Sequence, residues 1–157
     1  MSFARLVNRL KEGLHAAEAG DSKQKDPLRV ATAAVLLETG YADGTFSPVE
    51  GEDLTGYLKR AFGLSPEEAR EIIDAAAEVR NRTIDHYALT NYIRQNASLA
   101  ERIEIVKTMW RMVYSDGKLT DYENYLVRKL ADLLGLEHHV MIDAKVAVLR
   151  EIGLATQ

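Results

Sequence analysis

Leu37-Glu38-Thr39-Gly40-Tyr41-Ala42-Asp43-Gly44-Thr45-Phe46-Ser47-Pro48-Val49-Glu50 and Trp110-Arg111-Met112-Val113-Tyr114-Ser115-Asp116-Gly117-Lys118-Leu119-Thr120-Asp121-Tyr122-Glu123 are two copies of one pattern, 73 residues apart. Each reads as a helix that ends, a Gly-mediated turn, an apolar plug, and a new helix opened by Ser or Thr with a Glu three positions on. The match continues into the following helix at an offset of 72, where Leu54, Leu58, Phe62, Gly63 and Leu64 lie over Leu126, Leu130, Leu134, Gly135 and Leu136. Two halves of this kind predict an all-α fold packed about a pseudo-twofold axis, with equivalent turns brought near one another.

Outward from the repeat the helical period persists, for example in Phe3, Leu6, Val7, Leu10 and Leu14, and no run alternates at period two for long enough to make a strand. The spacing predicts helices over roughly 3–18, 28–42, 48–62, 66–79, 84–96, 99–115, 121–134 and 138–152, a compact bundle of about seven to eight. Ser47-Pro48-Val49-Glu50, Ser65-Pro66-Glu67-Glu68 and Thr120-Asp121-Tyr122-Glu123 fit capping boxes, two with Pro at the first helical position. Gly44, Gly63, Gly117 and Gly135 stand where helices should stop. The polar stretch Ala19 to Asp26, closed by Pro27, reads as a linker. The organisation expected is an N-terminal amphipathic helix with its linker over 1–26 and one helical domain over 27–157.

A chain of 157 residues that is 46% hydrophobic and 28% charged suits a single globular domain and needs no disulfide or structural metal to hold its core. A net charge of −4 argues against sequence-independent nucleic-acid binding, which draws on an excess of Lys and Arg to displace counterions. A locally basic patch stays open. The absence of cysteine removes disulfides, thiolate nucleophiles, iron-sulfur clusters and thiolate zinc sites, so any metal would be held by oxygen or imidazole. Charges interrupt every apolar run of the N-terminal segment, which predicts neither a signal peptide nor a bilayer span of roughly 18 residues, and hence a cytoplasmic protein.

In the repeat, Gly44 and Gly117 are expected at positive φ, Phe46 and Leu119 to pack back on the helices, and Glu50 and Glu123 to close capping boxes. Capping does not account for Asp43 and Asp116. A carboxylate in the last turn of a helix meets the negative end of the macrodipole and costs a few tenths of a kcal/mol, so its repetition invites a cation: a Lys or Arg, a pair of turn amides, or a bound metal. Hard divalent ions prefer the carboxylate and carbonyl oxygens that such turns present. Asp-Gly-x-Phe-Ser-x-x-Glu also matches the second half of a calcium-binding EF-hand loop. Its first half fails, because the first and third ligand positions fall on Thr39 and Tyr41 in one copy and on Met112 and Tyr114 in the other. Metal binding by Asp43, Glu50, Asp116 and Glu123 and pure capping are therefore both open on the residues alone.

The duplicated Asp-Gly turns with a following Glu, in an all-helical chain of this length, resemble the TerB-like family named from tellurite resistance. The stretch from Asp85-His86-Tyr87-Ala88-Leu89 through Arg102-Ile103-Glu104-Ile105-Val106 to Ser115-Asp116-Gly117 is similar to an uncharacterised bacterial branch of it. The resemblance spans about residues 28–150. It implies a compact, non-enzymatic helical domain with an acidic divalent-metal site (calcium, magnesium, manganese or zinc), linked to stress responses and to protein assemblies peripheral to the inner membrane. By motif position Asp43, Glu50, Asp116 and Glu123 carry that role over, with protein partners, no nucleic acid and no small-molecule substrate identified. The copies differ where Glu38 lies over Arg111, which argues against a symmetric two-metal arrangement. Two rival readings are a metal-free helical adaptor and a metal-dependent hydrolase using the same carboxylates.

The remaining residues of chemical interest read as structural. His15, His86, His138 and His139 form no His-Glu-x-x-His pattern, and adjacent His138 and His139 point about a hundred degrees apart on a helix, poor for chelation. Trp110 and Tyr114, four residues apart, read as core; Tyr122 and Tyr125 accompany them. Arg5, Arg9 and Lys11 flank the apolar stripe of the first segment, which suits packing on the core better than a membrane surface. No Gly-rich phosphate loop or nucleophile elbow is present.

Overall fold

A computed structural model describes residues 27–42, 44, 46–81, 86–115 and 119–154. The helix and linker expected over 1–26 lie outside these residues. The described residues form seven helices: α1 (Pro27–Gly40), α2 (Pro48–Phe62), α3 (Pro66–Asn81), α4 (His86–Asn96), α5 (Leu99–Val113), α6 (Asp121–Leu133) and α7 (His138–Glu151). There is no strand among them, and none of these helices is long and apolar enough to cross a membrane.

Helix α1 is apolar on nearly every face, and every residue from Val30 to Leu37 is buried, as a helix without a polar side must be. It packs against α2, α3, α4, α5 and α6. Its two buried threonines return their hydroxyls to the helix: Thr32 Oγ1 donates to Leu28 O at 2.8 Å and Thr39 Oγ1 to Val35 O at 3.1 Å, so neither is an unsatisfied polar group. Helix α5 is its counterpart in the repeat, with Ile105, Val106, Met109, Trp110, Met112 and Val113 buried. The packing follows the duplication. α1 meets α2 and α3 as α5 meets α6 and α7; α2 meets α3 as α6 meets α7; and α1 and α5 touch each other. Helix α4 has no counterpart among the described residues and bridges α1 and α6.

The local start signals act as read. Boxes form at Ser47/Glu50, Ser65/Glu68 and Thr120/Glu123, and a fourth, overlooked in the sequence, forms at Ser98/Glu101, where Ser98 N donates to Glu101 Oε1 at 2.8 Å and Glu101 N to Ser98 Oγ at 3.1 Å. Gly44 has φ 93° and Gly63 φ 64°, in the region that favours glycine. Gly117 lies outside the described residues. Trp110 is fully buried, whereas Tyr122 and Tyr125 are 53% and 58% exposed, so the aromatic group splits into a core pair and a surface pair.

Candidate metal centre

Two of the four expected ligands are described. Glu50 and Glu123 stand at the third position of α2 and α6. Ser47 N donates to Glu50 Oε1 at 2.9 Å and Glu50 N to Ser47 Oγ at 3.1 Å. The second copy repeats this, with Thr120 N to Glu123 Oε1 at 2.9 Å and Glu123 N to Thr120 Oγ1 at 3.1 Å. Burial separates these carboxylates from the other capping acids: Glu50 is 4% and Glu123 3% exposed, whereas Glu101 is exposed and Glu68 half-buried. Capping alone does not require burial, as Glu101 demonstrates. The helix N-terminal amides supply part of the compensation a buried carboxylate needs. Each cap engages one oxygen of its carboxylate.

Asp43 and Asp116 lie outside the described residues, and so does the question of whether the two turns converge. The helix ends preceding them are described and correct one premise. α1 stops at Gly40 and α5 at Val113, so each Asp follows the helix by three residues instead of occupying its last turn. The dipole penalty falls off within that turn and no longer demands a cation by itself. Among the described residues, no group of three or more His, Asp or Glu is placed to hold a metal; Glu50 and Glu123 have oxygen chemistry suited to a hard ion but do not make a site without the Asp residues.

The plug between turn and helix works by close packing in the first copy. Phe46 packs on the core, and a Cβ built at Gly40 would overlap its ring and come 3.0 Å from Met112 Cε, while one at Gly51 would lie 3.3 Å from Phe46 Cε1. The equivalent positions in the second copy hold Leu119 as plug, with Val113 and Asn124 in place of the glycines. A large plug over two glycines has become a smaller plug beside larger neighbours.

The mismatch of Glu38 with Arg111 also has a structural reason. Glu38 Oε2 lies 3.3 Å from Arg80 Nε and 3.7 Å from His86 Nε2, joining the ends of α1 and α3. Arg111 forms a two-point pair with Glu151, Nε to Oε2 at 2.7 Å and Nη2 to Oε1 at 3.1 Å, joining α5 to the end of α7. The two halves thus keep the same inter-helix ion pair with its polarity reversed. Arg80 also sits over the Tyr41 ring, 4.3 Å from its centroid, and Tyr41 stacks on Phe46 at 5.1 Å, which ties the first turn to α3. Sequence reasoning missed Arg80 and Glu151, since nothing local marks either.

The hydrogen bond from His86 and the charge of Arg80 hold the Glu38 carboxyl below the usual range against the opposing effect of burial. Arg111 does the same for Glu151, whereas burial pushes Asp53 up despite Arg111 nearby. A depressed folded-state pKa contributes stability that is present above the unfolded value and lost as pH falls through the folded value. Glu38→Gln should therefore lower the thermal midpoint at pH 7, and its deficit against wild type should shrink as pH is taken below 4.5, the ordinary glutamate value. A deficit independent of pH between 7 and 3 would show that the ion pair is not its source.

Burial makes a further difference measurable. Glu123→Ala removes a part-buried capping hydrogen bond and Glu101→Ala an exposed one, so the former should cost more in denaturant unfolding, by up to about 1 kcal/mol. Equal losses would mean that the two boxes are energetically alike.

Comparison with known proteins adds one match. The family model described as "Tellurite resistance protein TerB" matches residues 29–146, well over half of the chain. No curated protein and no solved structure matches it.

Proposed function

The chain belongs to the TerB family of tellurite resistance proteins, and from that premise we propose that it is a non-enzymatic module binding a divalent cation through Asp43, Glu50, Asp116 and Glu123. The observation that carries this reading is the burial of Glu50 and Glu123 in both copies, beside caps elsewhere in the chain that work with an exposed acid, Glu101, or a half-buried one, Glu68. A buried carboxylate needs more positive charge than an exposed one, and an Asp seven residues earlier in each copy would complete an oxygen ligand set of the kind calcium, magnesium or manganese prefers. A role in stress response follows from the family's name alone.

A metal-free adaptor is the second reading. It is favoured by the exposed tyrosines Tyr87 on α4 and Tyr122 and Tyr125 on α6, because aromatic side chains left on a surface suit protein partners. The two readings separate in thermal unfolding of chelator-treated protein with single ions added back, wild type against Asp43→Ala/Asp116→Ala.

A further inference from the structure

We propose that the groove between α6 and α7 is a binding site for a small organic phosphate. The groove encloses about 480 Å³ and is lined by Arg128, Lys129 and His138 together with Asn124, Tyr125 and Met141 among others, a size in the range of small-molecule pockets. Among the described residues none of the three basic side chains pairs with a carboxylate. The one acid in the lining is Asp132. In a chain of net charge −4 this is a local excess of positive charge. Its crowding is felt by Lys145 on α7, whose ammonium is held below the usual range by burial and by the neighbouring Arg128. Tyr125, Leu136 and Met141 add an apolar wall to the same groove, which suits the organic part of a phosphate ester.

The repeat shows that the architecture does not require these residues. At the offset of 72, Arg128 and Lys129 occupy the places of Gly56 and Tyr57, and α2 packs on α3 without cations there. The same comparison separates the helix starts. Ser65 and Glu68 close a capping box at α3, with Ser65 N donating to Glu68 Oε1 at 2.8 Å. Their counterparts at α7 are Glu137 and Val140, and no side chain caps that helix. Where the first half supplies its own carboxylate, the second half leaves a cation-lined groove in which a phosphate would complement both the side chains and the helix end.

The test is calorimetric titration of the full chain, with chelator present to remove metal-mediated binding, using glycerol phosphate and inorganic phosphate as probes. The expected result is saturable binding of the ester with a Kd of about 1 mM or tighter, tighter than inorganic phosphate. Arg128→Gln/Lys129→Gln should weaken it at least about tenfold with an unchanged thermal midpoint. No saturation, affinity unaffected by the Arg128/Lys129 change, or equal affinity for ester and inorganic phosphate in wild type would each overturn the assignment.

Discussion

Chelator-stripped protein given one divalent ion at about a hundredfold excess over its Kd should gain about 2.7 kcal/mol of stability, a rise in midpoint of about 5–10 °C for a domain of this size. The gain should be selective, appearing with one hard ion and not with all four of calcium, magnesium, manganese and zinc. Asp43→Ala/Asp116→Ala should abolish it. That double variant leaves Ser47, Thr120, Glu50 and Glu123 in place, so both capping boxes survive and the unliganded protein should melt within a few degrees of wild type. Because each Asp follows its helix by three residues, no intrahelical contact is lost with it. If millimolar ion produces no specific shift, Glu50 and Glu123 return to capping alone, and the exposed tyrosines of α4 and α6 become the better guide to function.

Gly40→Val should be the most damaging conservative change in the first turn, at about 2–3 kcal/mol. The overlap is with the Phe46 ring, the same added Cβ would come 3.0 Å from Met112 Cε, and the ring is already so close to Gly51 that a Cβ there would lie 3.3 Å from Phe46 Cε1. The second copy has already met the same constraint with Val113 and Leu119. Transplanting that pair predicts that Gly40→Val/Phe46→Leu recovers at least about 1 kcal/mol relative to the sum of the single changes. Additive losses in denaturant unfolding would show that the two positions do not interact and that the duplicated turns are packed by unrelated means.

What could be read from sequence was whatever is encoded within a few residues. The helix starts at Ser47, Ser65 and Thr120 were legible because a capping box is a four-residue device, and the box at Ser98 carried the same signal unread. The turns were found because Asp-Gly and a later Glu recur at one spacing. Glu38 against Arg111 looked like decay of the repeat, because the compensating residues Arg80 and Glu151 lie about forty residues downstream of them, and only packing brings them together. The burial of Glu50 and Glu123 was also invisible, since their local pattern is the same as that of the exposed Glu101. The helix ends at Gly40 and Val113 came earlier than the apolar period suggested, and that shift removed the dipole argument for Asp43 and Asp116. The site as a whole was legible only as a set of residue types; its geometry depends on the fold.

Helix α1 lies beneath five neighbours, with Val30 to Leu37 all shielded. Amide protons along it have no route to solvent through local fraying, so their deuterium exchange reports opening of the whole domain. The first Asp-Gly turn leaves directly from that helix. A ligand captured there would therefore slow exchange throughout the buried helix and far from the turn itself, turning a surface event into a property of the entire cooperative unit.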